Sequence, residues 1–146
     1  MHFHRIDYTH HEAAAFQALL GASRQVHDGV LGAELAELVF LRVSQLNGCA
    51  YCIDMHATAL RKAGMPPRKL DTLPGWRESR FFDARERAAL AWAEALTTLP
   101  SGAPADAVYH ALAAHFDDHG VAELTMAVAI INAWNRLGVG LQPALP

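Results

Sequence analysis

An all-α fold is what this sequence predicts, and three observations carry the prediction. Alanine, the best helix former, occurs 28 times, against 18 valines, isoleucines and threonines combined. Glycine and proline punctuate the chain, and the segments between them repeat their apolar residues mostly at helical period. Apolar types make up 52% of 146 residues, enough for one packed core and little more. The expectation is a compact bundle of about six to seven helices forming a single domain over residues 1–146.

The first helix is expected from about Thr9 to His27, burying Ala13, Phe16, Leu19 and Leu20 and ending before Gly29. A second runs from about Ala33 to Leu46, with Leu35, Leu38, Val39, Val43 and Leu46 along one stripe. Asn47-Gly48 ends it, because both residue types tolerate the left-handed conformation that closes helices. A third opens near Cys49 and continues to Ala63, where Gly64 and the Pro66-Pro67 pair stop it. A short helix around Pro67 to Thr72 and a loop carrying Pro74, Gly75 and Trp76 follow. Asp83, with Glu86 three residues on, resembles a capping box and starts a helix that reaches about Leu99. Two more are expected at about Pro104 to His115 and Gly120 to Leu137. The last is apolar nearly all round, through Leu124, Met126, Val128, Ile130, Ile131 and Trp134. Such a helix must be covered on every side, in so small a chain partly by a second copy, so a homo-oligomer is expected.

Charge and hydropathy exclude several classes. Twelve Lys and Arg against fifteen Asp and Glu give a net charge of −3, which is not the basic face of a nucleic-acid binder. The strongly apolar stretch Leu124 to Asn135 lies between Glu123 and Arg136 and falls short of the about 20 residues that span a bilayer. The first residues hold no apolar run resembling a signal peptide. A cytoplasmic protein with no membrane partner is expected.

The chemistry concentrates at Cys49, Cys52 and His56. With about 100° per residue, Cys52 lies about 300° and His56 about 340° round from Cys49, so all three share one helix face. The cysteines also fall in the first turn, where free backbone N–H groups and the helix dipole favour a thiolate. An imidazole one turn on can take the thiol proton, and the second cysteine can resolve an oxidised first one. Three readings compete: a redox dithiol, a structural zinc site lacking an obvious fourth ligand, and two buried cysteines that merely pack. A c-type haem is excluded, because Ile53 stands where that motif needs histidine.

Glu37, eleven residues, Cys49, two residues, Cys52, three residues, His56: this pattern resembles the E-x11-C-x2-C-x3-H motif of AhpD-like alkylhydroperoxidases, in the carboxymuconolactone decarboxylase superfamily. The segment from Leu41 to His56 and that from Asp83 to Thr97 are similar to the same family, and the resemblance spans about residues 31–137. It implies an all-helical trimer or hexamer and a peroxidase whose dithiol cycles through a disulfide. Carried over, Cys52 attacks the peroxide and becomes a sulfenic acid, Cys49 condenses with it, and His56 and Glu37 form the proton relay. Thioredoxin or a lipoylated protein is the implied reductant. The alternative is a redox sensor or disulfide-reductase adaptor with little peroxide turnover.

Glu37 has its own physical case: a carboxylate on the second helix can bond His56 across a helix hairpin and hold its tautomer. Otherwise it is a solvated glutamate like Glu34. Tyr51 departs from some founding peroxidases, which carry histidine there; tyrosine is a poor base at neutral pH. Gly29, Gly32, Gly48 and Gly64 never form G-x-G-x-x-G, so neither NAD(P)H nor another organic cofactor is expected. His2, His4, His10 and His11 read as incidental surface histidines. His115 and His119 are spaced for one helix face and are kept as a weak divalent-metal candidate. Trp76, Phe81 and Phe82 read as core ahead of a pocket over the thiols. Arg85-Glu86-Arg87 reads as a solvated helix face.

Overall fold

Eight α-helices account for most of the regular structure among the described residues: α1 (Tyr8–His11), α2 (Ala13–His27), α3 (Ala33–Asn47), α4 (Ala50–Lys62), α5 (Pro67–Asp71), α6 (Ala84–Thr97), α7 (Asp106–Ala113) and α8 (Asp118–Leu141). They are seen in a computed structural model that describes residue 3 and residues 5–145. Two 3-10 turns, Leu73–Gly75 and Leu99–Ser101, complete the elements. No strand occurs among the described residues; one isolated antiparallel bridge pairs Phe3 with Pro143.

The helix count exceeds the expected six to seven because the first predicted helix is two. Asp7 accepts hydrogen bonds from the amides of Thr9 and His10 and caps the single turn of α1. Glu12 then leaves helical geometry, at φ −125°, before α2 begins. Across the bend Tyr8 meets Phe16, ring centroids 6.0 Å apart. Helix α2 also buries less than its period suggests: only Val26 is buried, Phe16, Leu19 and Leu20 are half-buried, and Ala13 is exposed. Phe16 and Leu20 line a cavity and are therefore not enclosed by core.

Helix α3 is the centre of the bundle. Leu35, Leu38, Val39, Leu41 and Val43 are all buried, and the helix touches α2, α4, α6 and α8. Leu46, assigned to the stripe by its period, is 37% exposed where the helix end emerges. Gly48 closes α3 at φ 67°, a left-handed residue whose amide bonds the Ser44 and Gln45 carbonyls. One residue later α4 starts and packs along α3, so this short connection sets where the cysteines lie.

Helix α8 is longer than expected at both ends. Asp117 caps it through the Gly120 amide, which places Gly120 inside the first turn, and the helix continues past Gly138 and Gly140. Its 24 residues extend about 36 Å. By length and composition alone it is long and apolar enough to cross a membrane, as a buried core helix also can be, and 44% of its apolar window is buried inside the protein. Here it packs against α2, α3, α4, α6 and α7, burying Leu124, Ala127, Val128, Ile130, Ile131 and Asn135. Among the described residues its outer side is left open: Met126 is 56% exposed and Val139 is 47% exposed.

The loop aromatics belong to the core. Trp76 and Phe82 are buried, Phe81 is half-buried, and none of the three lines the cavity at the cysteines. Arg85-Glu86-Arg87 is not a solvated face, since all three side chains are half-buried. Glu86 completes the capping box with Asp83 and pairs with Lys69. Arg87 donates to the Phe82, Arg77 and Ser79 carbonyls, and Arg85 lies over the Phe116 ring. The loop before α6 has few backbone partners of its own, and these side chains supply them.

Glu94 ties the same loop to α3. Its Oε1 accepts from Trp76 Nε1 at 2.8 Å and Arg42 Nε at 2.7 Å, while Arg77 reaches Oε2. Burial pushes this carboxyl up, but the hydrogen bonds from Trp76, Arg42 and Arg77 outweigh it and hold the group below its ordinary 4.5. A carboxylate held down in the fold contributes stability in full above its unfolded value; that stability is lost as pH falls through the folded value. Glu94→Gln should therefore cost about 1–2 kcal/mol at neutral pH, and less in acid. Urea unfolding at pH 7 and at about pH 3.5 checks this; an equal loss at both would refute it.

Candidate active site

Cys49 is the residue that caps α4, and Cys52 sits in its first turn. The Cys49 Sγ accepts the Cys52 amide at 3.4 Å, and the two sulfurs are joined in a disulfide with the Cα atoms 5.3 Å apart. Both residues are buried, Cys49 at 1% and Cys52 at 3% exposure. A polar cluster fixes the turn that leads into them. Asn47 Nδ2 donates to Asn135 Oδ1 at 2.9 Å and to Asn132 Oδ1 at 3.0 Å, and Asn135 Nδ2 donates to Ser44 Oγ at 2.9 Å. These bonds clamp the end of α3 onto α8. Gly138, on α8, lies against the sulfurs: a Cβ built there would stand 2.6 Å from Cys49 Sγ and 3.3 Å from Cys52 Sγ.

His56 follows Cys52 by one helical turn and is buried against Phe40, ring centroids 5.2 Å apart. Its Nδ1–H donates to Glu37 Oε2 at 2.8 Å, across the α3–α4 hairpin. The other ring nitrogen, Nε2, is buried with no hydrogen-bond partner among the described residues. Glu37 is mostly buried, its side chain 15% exposed, and its second oxygen lies 3.4 Å from His27 Nε2. Four residues singled out from the sequence thus form two direct pairs, Cys49–Cys52 and His56–Glu37, on two neighbouring helices.

A cavity of about 320 Å³ opens at these groups. Cys52 and His56 line it, and Cys49 does not. The walls are largely apolar: Phe16, Leu20, Phe40, Met55, Ile131 and Trp134, with Tyr8 and Tyr51 adding phenols. Phe16 meets Trp134 edge to face at 5.8 Å, and Trp134 Nε1 donates to Ser23 Oγ at 2.7 Å. Burial pushes the Tyr8 phenol above its usual range, with Tyr51 and Asp7 adding to the effect. Tyr8 therefore stays a neutral donor at every working pH. Arg24, His27 and Asp28 bring the polar part of the lining. A pocket of this kind admits a small, mainly apolar molecule and holds its reactive end at one thiol and one imidazole.

Other sequence candidates lie elsewhere. His10 and His11 end α1, exposed and meeting edge to face, and His2 and His4 lie outside the described residues. His115 and His119 do not share a helix face, because His115 lies in the loop after α7 and His119 in the first turn of α8. Among the described residues no group of three or more His, Cys, Asp or Glu side chains is placed to hold a metal ion. Sequence reasoning missed His27, Gly138, Tyr8, Phe16 and Trp134. The signal available for Trp134 was its position on a helix apolar all round; the rest had none without the tertiary fold.

Residues 11–95 match the profile of the carboxymuconolactone decarboxylase family. This match starts earlier than the resemblance at residues 31–137 and stops within α6. The chain is similar to YdfG of Bacillus subtilis (strain 168), itself uncharacterized, with 31% identity over 94% of this chain and 93% of that one. Among solved structures it is similar to a protein of unknown function from Agrobacterium tumefaciens for which a role as the antioxidant defence protein AhpD has been suggested. That match has 34% identity, covers 97% of each chain and gives a TM-score of 0.93. The debrominase Bmp8 shares the fold at 23% identity and a TM-score of 0.79, over 92% of this chain and 70% of its own.

Proposed function

Because this chain belongs to the carboxymuconolactone decarboxylase family, and within it to the AhpD-like proteins, we propose that it is a thiol-dependent peroxidase reducing organic hydroperoxides through a Cys49–Cys52 cycle. The observation that carries this reading is the cavity: Cys52 lines an apolar pocket beside a buried histidine whose Nε2 has no hydrogen-bond partner among the described residues. His56, its Nδ1–H held by Glu37, takes the Cys52 proton at Nε2. The thiolate attacks one peroxide oxygen and the O–O bond breaks. Cys52 becomes a sulfenic acid, and the departing alkoxide recovers the proton from His56 as an alcohol. Cys49 then attacks the sulfenic sulfur, the disulfide forms and water leaves. Two electrons pass to the peroxide, and a dithiol restores them.

The partners are part of the proposal. An external dithiol, thioredoxin or a lipoylated protein, reduces the disulfide, in a cytoplasm that keeps such thiols reduced. The open side of α8, with Met126, is a contact face in a homotrimer or hexamer; a monomeric mass in light scattering would remove that part. A second reading is a redox sensor or disulfide-reductase adaptor with little peroxide turnover; the burial of both sulfurs, which slows exchange with a large partner, favours the sensor.

The test is a thiol count on the reduced protein by intact-mass labelling, before and after one equivalent of cumene hydroperoxide. Loss of both thiols together, reversed by a dithiol, is the expected result. Thiols that persist overturn the proposal. Stoichiometric oxidation without continued dithiol consumption selects the sensor.

A further inference from the structure

The charged groups at the site do not stop at Glu37. While Glu37 Oε2 holds His56 Nδ1 at 2.8 Å, Oε1 lies 3.4 Å from Nε2 of His27, the last residue of α2. One carboxylate therefore stands between two imidazoles from different helices. The other nitrogen of His27, Nδ1, meets Asp28 Oδ1 at 2.9 Å. Side-chain exposure rises along the series, from 8% at His56 to 15% at Glu37, 38% at His27 and 79% at Asp28. These four groups form a row of side chains running from the buried helix face of Cys52 out to water.

We propose that His27 is a positioning residue for the dithiol: through Glu37 it orients His56 and, with Asp28, connects the buried sulfurs to solvent protons. This rests on the reading of Cys49–Cys52 as redox-active and is independent of whether peroxide is the oxidant. The need for such a route follows from the chemistry of reopening the disulfide. An external dithiol attacks as a thiolate that has left its proton in water. The S–S bond breaks, the reductant's two sulfurs pair, and two electrons pass to Cys49 and Cys52. Each departing thiolate then takes a proton, two in all, inside a site that is 1–3% exposed. For each, an imidazolium at His56 gives its Nε2 proton to sulfur and keeps Nδ1–H on Glu37 Oε2, and it forms again when Nε2 takes a proton that His27 has brought in from water across the cavity both rings line. His27 recharges from solvent beside Asp28, and no charge remains behind.

The other titratable groups lining the same cavity are Arg24 on α2, Tyr8 on α1 and Tyr51 on α4; α8 contributes none.

The test uses no peroxide. The oxidised full-length protein is mixed with excess dithiothreitol from pH 5 to 9, and thiol appearance is followed by rapid quench. His27→Gln keeps an amide donor toward Glu37 and carries no proton. It is expected to slow opening about tenfold near neutral pH and to remove an inflection from the rate–pH profile. His27→Ala is expected to show the same loss, partly restored by added imidazole. Wild-type rates and profile in both variants overturn the proposal. So does a loss in His27→Ala alone, or one that is equal at every pH and accompanied by a lowered Tm, since each marks a structural contact only. If the wild type opens normally with dithiothreitol but turns over no peroxide, the peroxidase reading falls and this one stands.

Discussion

Cys52→Ser is expected to reduce peroxide-dependent oxidation of a dithiol to the uncatalysed background, a loss of about 1000-fold or more. The magnitude follows from the position of the two sulfurs. Cys52 lines the cavity that would admit the hydroperoxide, whereas Cys49 does not line it. A hydroxyl at position 52 is a far weaker nucleophile, and His56 gives it no comparable activation. Cys49→Ser should behave differently. It should consume one equivalent of peroxide and stop at a Cys52 sulfenic acid, which dimedone traps as a mass increment. The opposite pattern, a single turnover in Cys52→Ser and none in Cys49→Ser, would reverse the assigned order of attack.

Gly138→Ala should make the disulfide markedly easier to reduce. The added methyl group would lie 2.6 Å from Cys49 Sγ and 3.3 Å from Cys52 Sγ, and the first distance is inside any real carbon–sulfur contact. In the oxidised protein the sulfurs are tied together and cannot both move away, so α8 must give; in the reduced protein each thiol can rotate. Overpacking of this kind costs about 1–3 kcal/mol, and a difference of about 2 kcal/mol between the two states corresponds to about 30-fold in the exchange equilibrium. Equilibration with a reference dithiol, read by thiol labelling, measures it. A double-mutant cycle separates the contact from helix propensity. With Cys49→Ala, which deletes the closer sulfur, Gly138→Ala should cost far less in thermal unfolding. Additive losses would mean that the close approach has no energetic weight.

Much of the architecture could be read in advance because it is encoded locally. Asp83 and Glu86 form both bonds of a capping box, and Asn47-Gly48 ends α3 through a left-handed residue. Each depends on neighbours within four residues. The errors arose where distant segments decide. Phe16 and Leu20 repeat at a core period, but what they face is a cavity, a distinction that periodicity does not make. Gly138 reads as a weak point near a helix end; its meaning depends on sulfurs delivered by α4. Glu37 was legible only through its spacing to the cysteines, since on α3 it falls off the apolar stripe. His27 has the ordinary look of a histidine complementing a helix C-terminus. Its place beside Glu37 depends on how the 28–32 loop turns α2 onto α3. That loop is held from outside itself, by the Leu31 amide donating to Glu123 on α8 at 2.7 Å.

The bond between the Cys52 amide and Cys49 Sγ turns the start of α4 into a built-in indicator. A disulfide sulfur is a feeble acceptor, while a thiolate at the same place accepts a charge-assisted bond. The Cys52 amide proton should therefore move downfield and exchange more slowly with deuterium when Cys49 is reduced and ionised. Isotope-labelled protein would then display its own oxidation state as a single backbone resonance, with no dye, tag or coupled enzyme at the site.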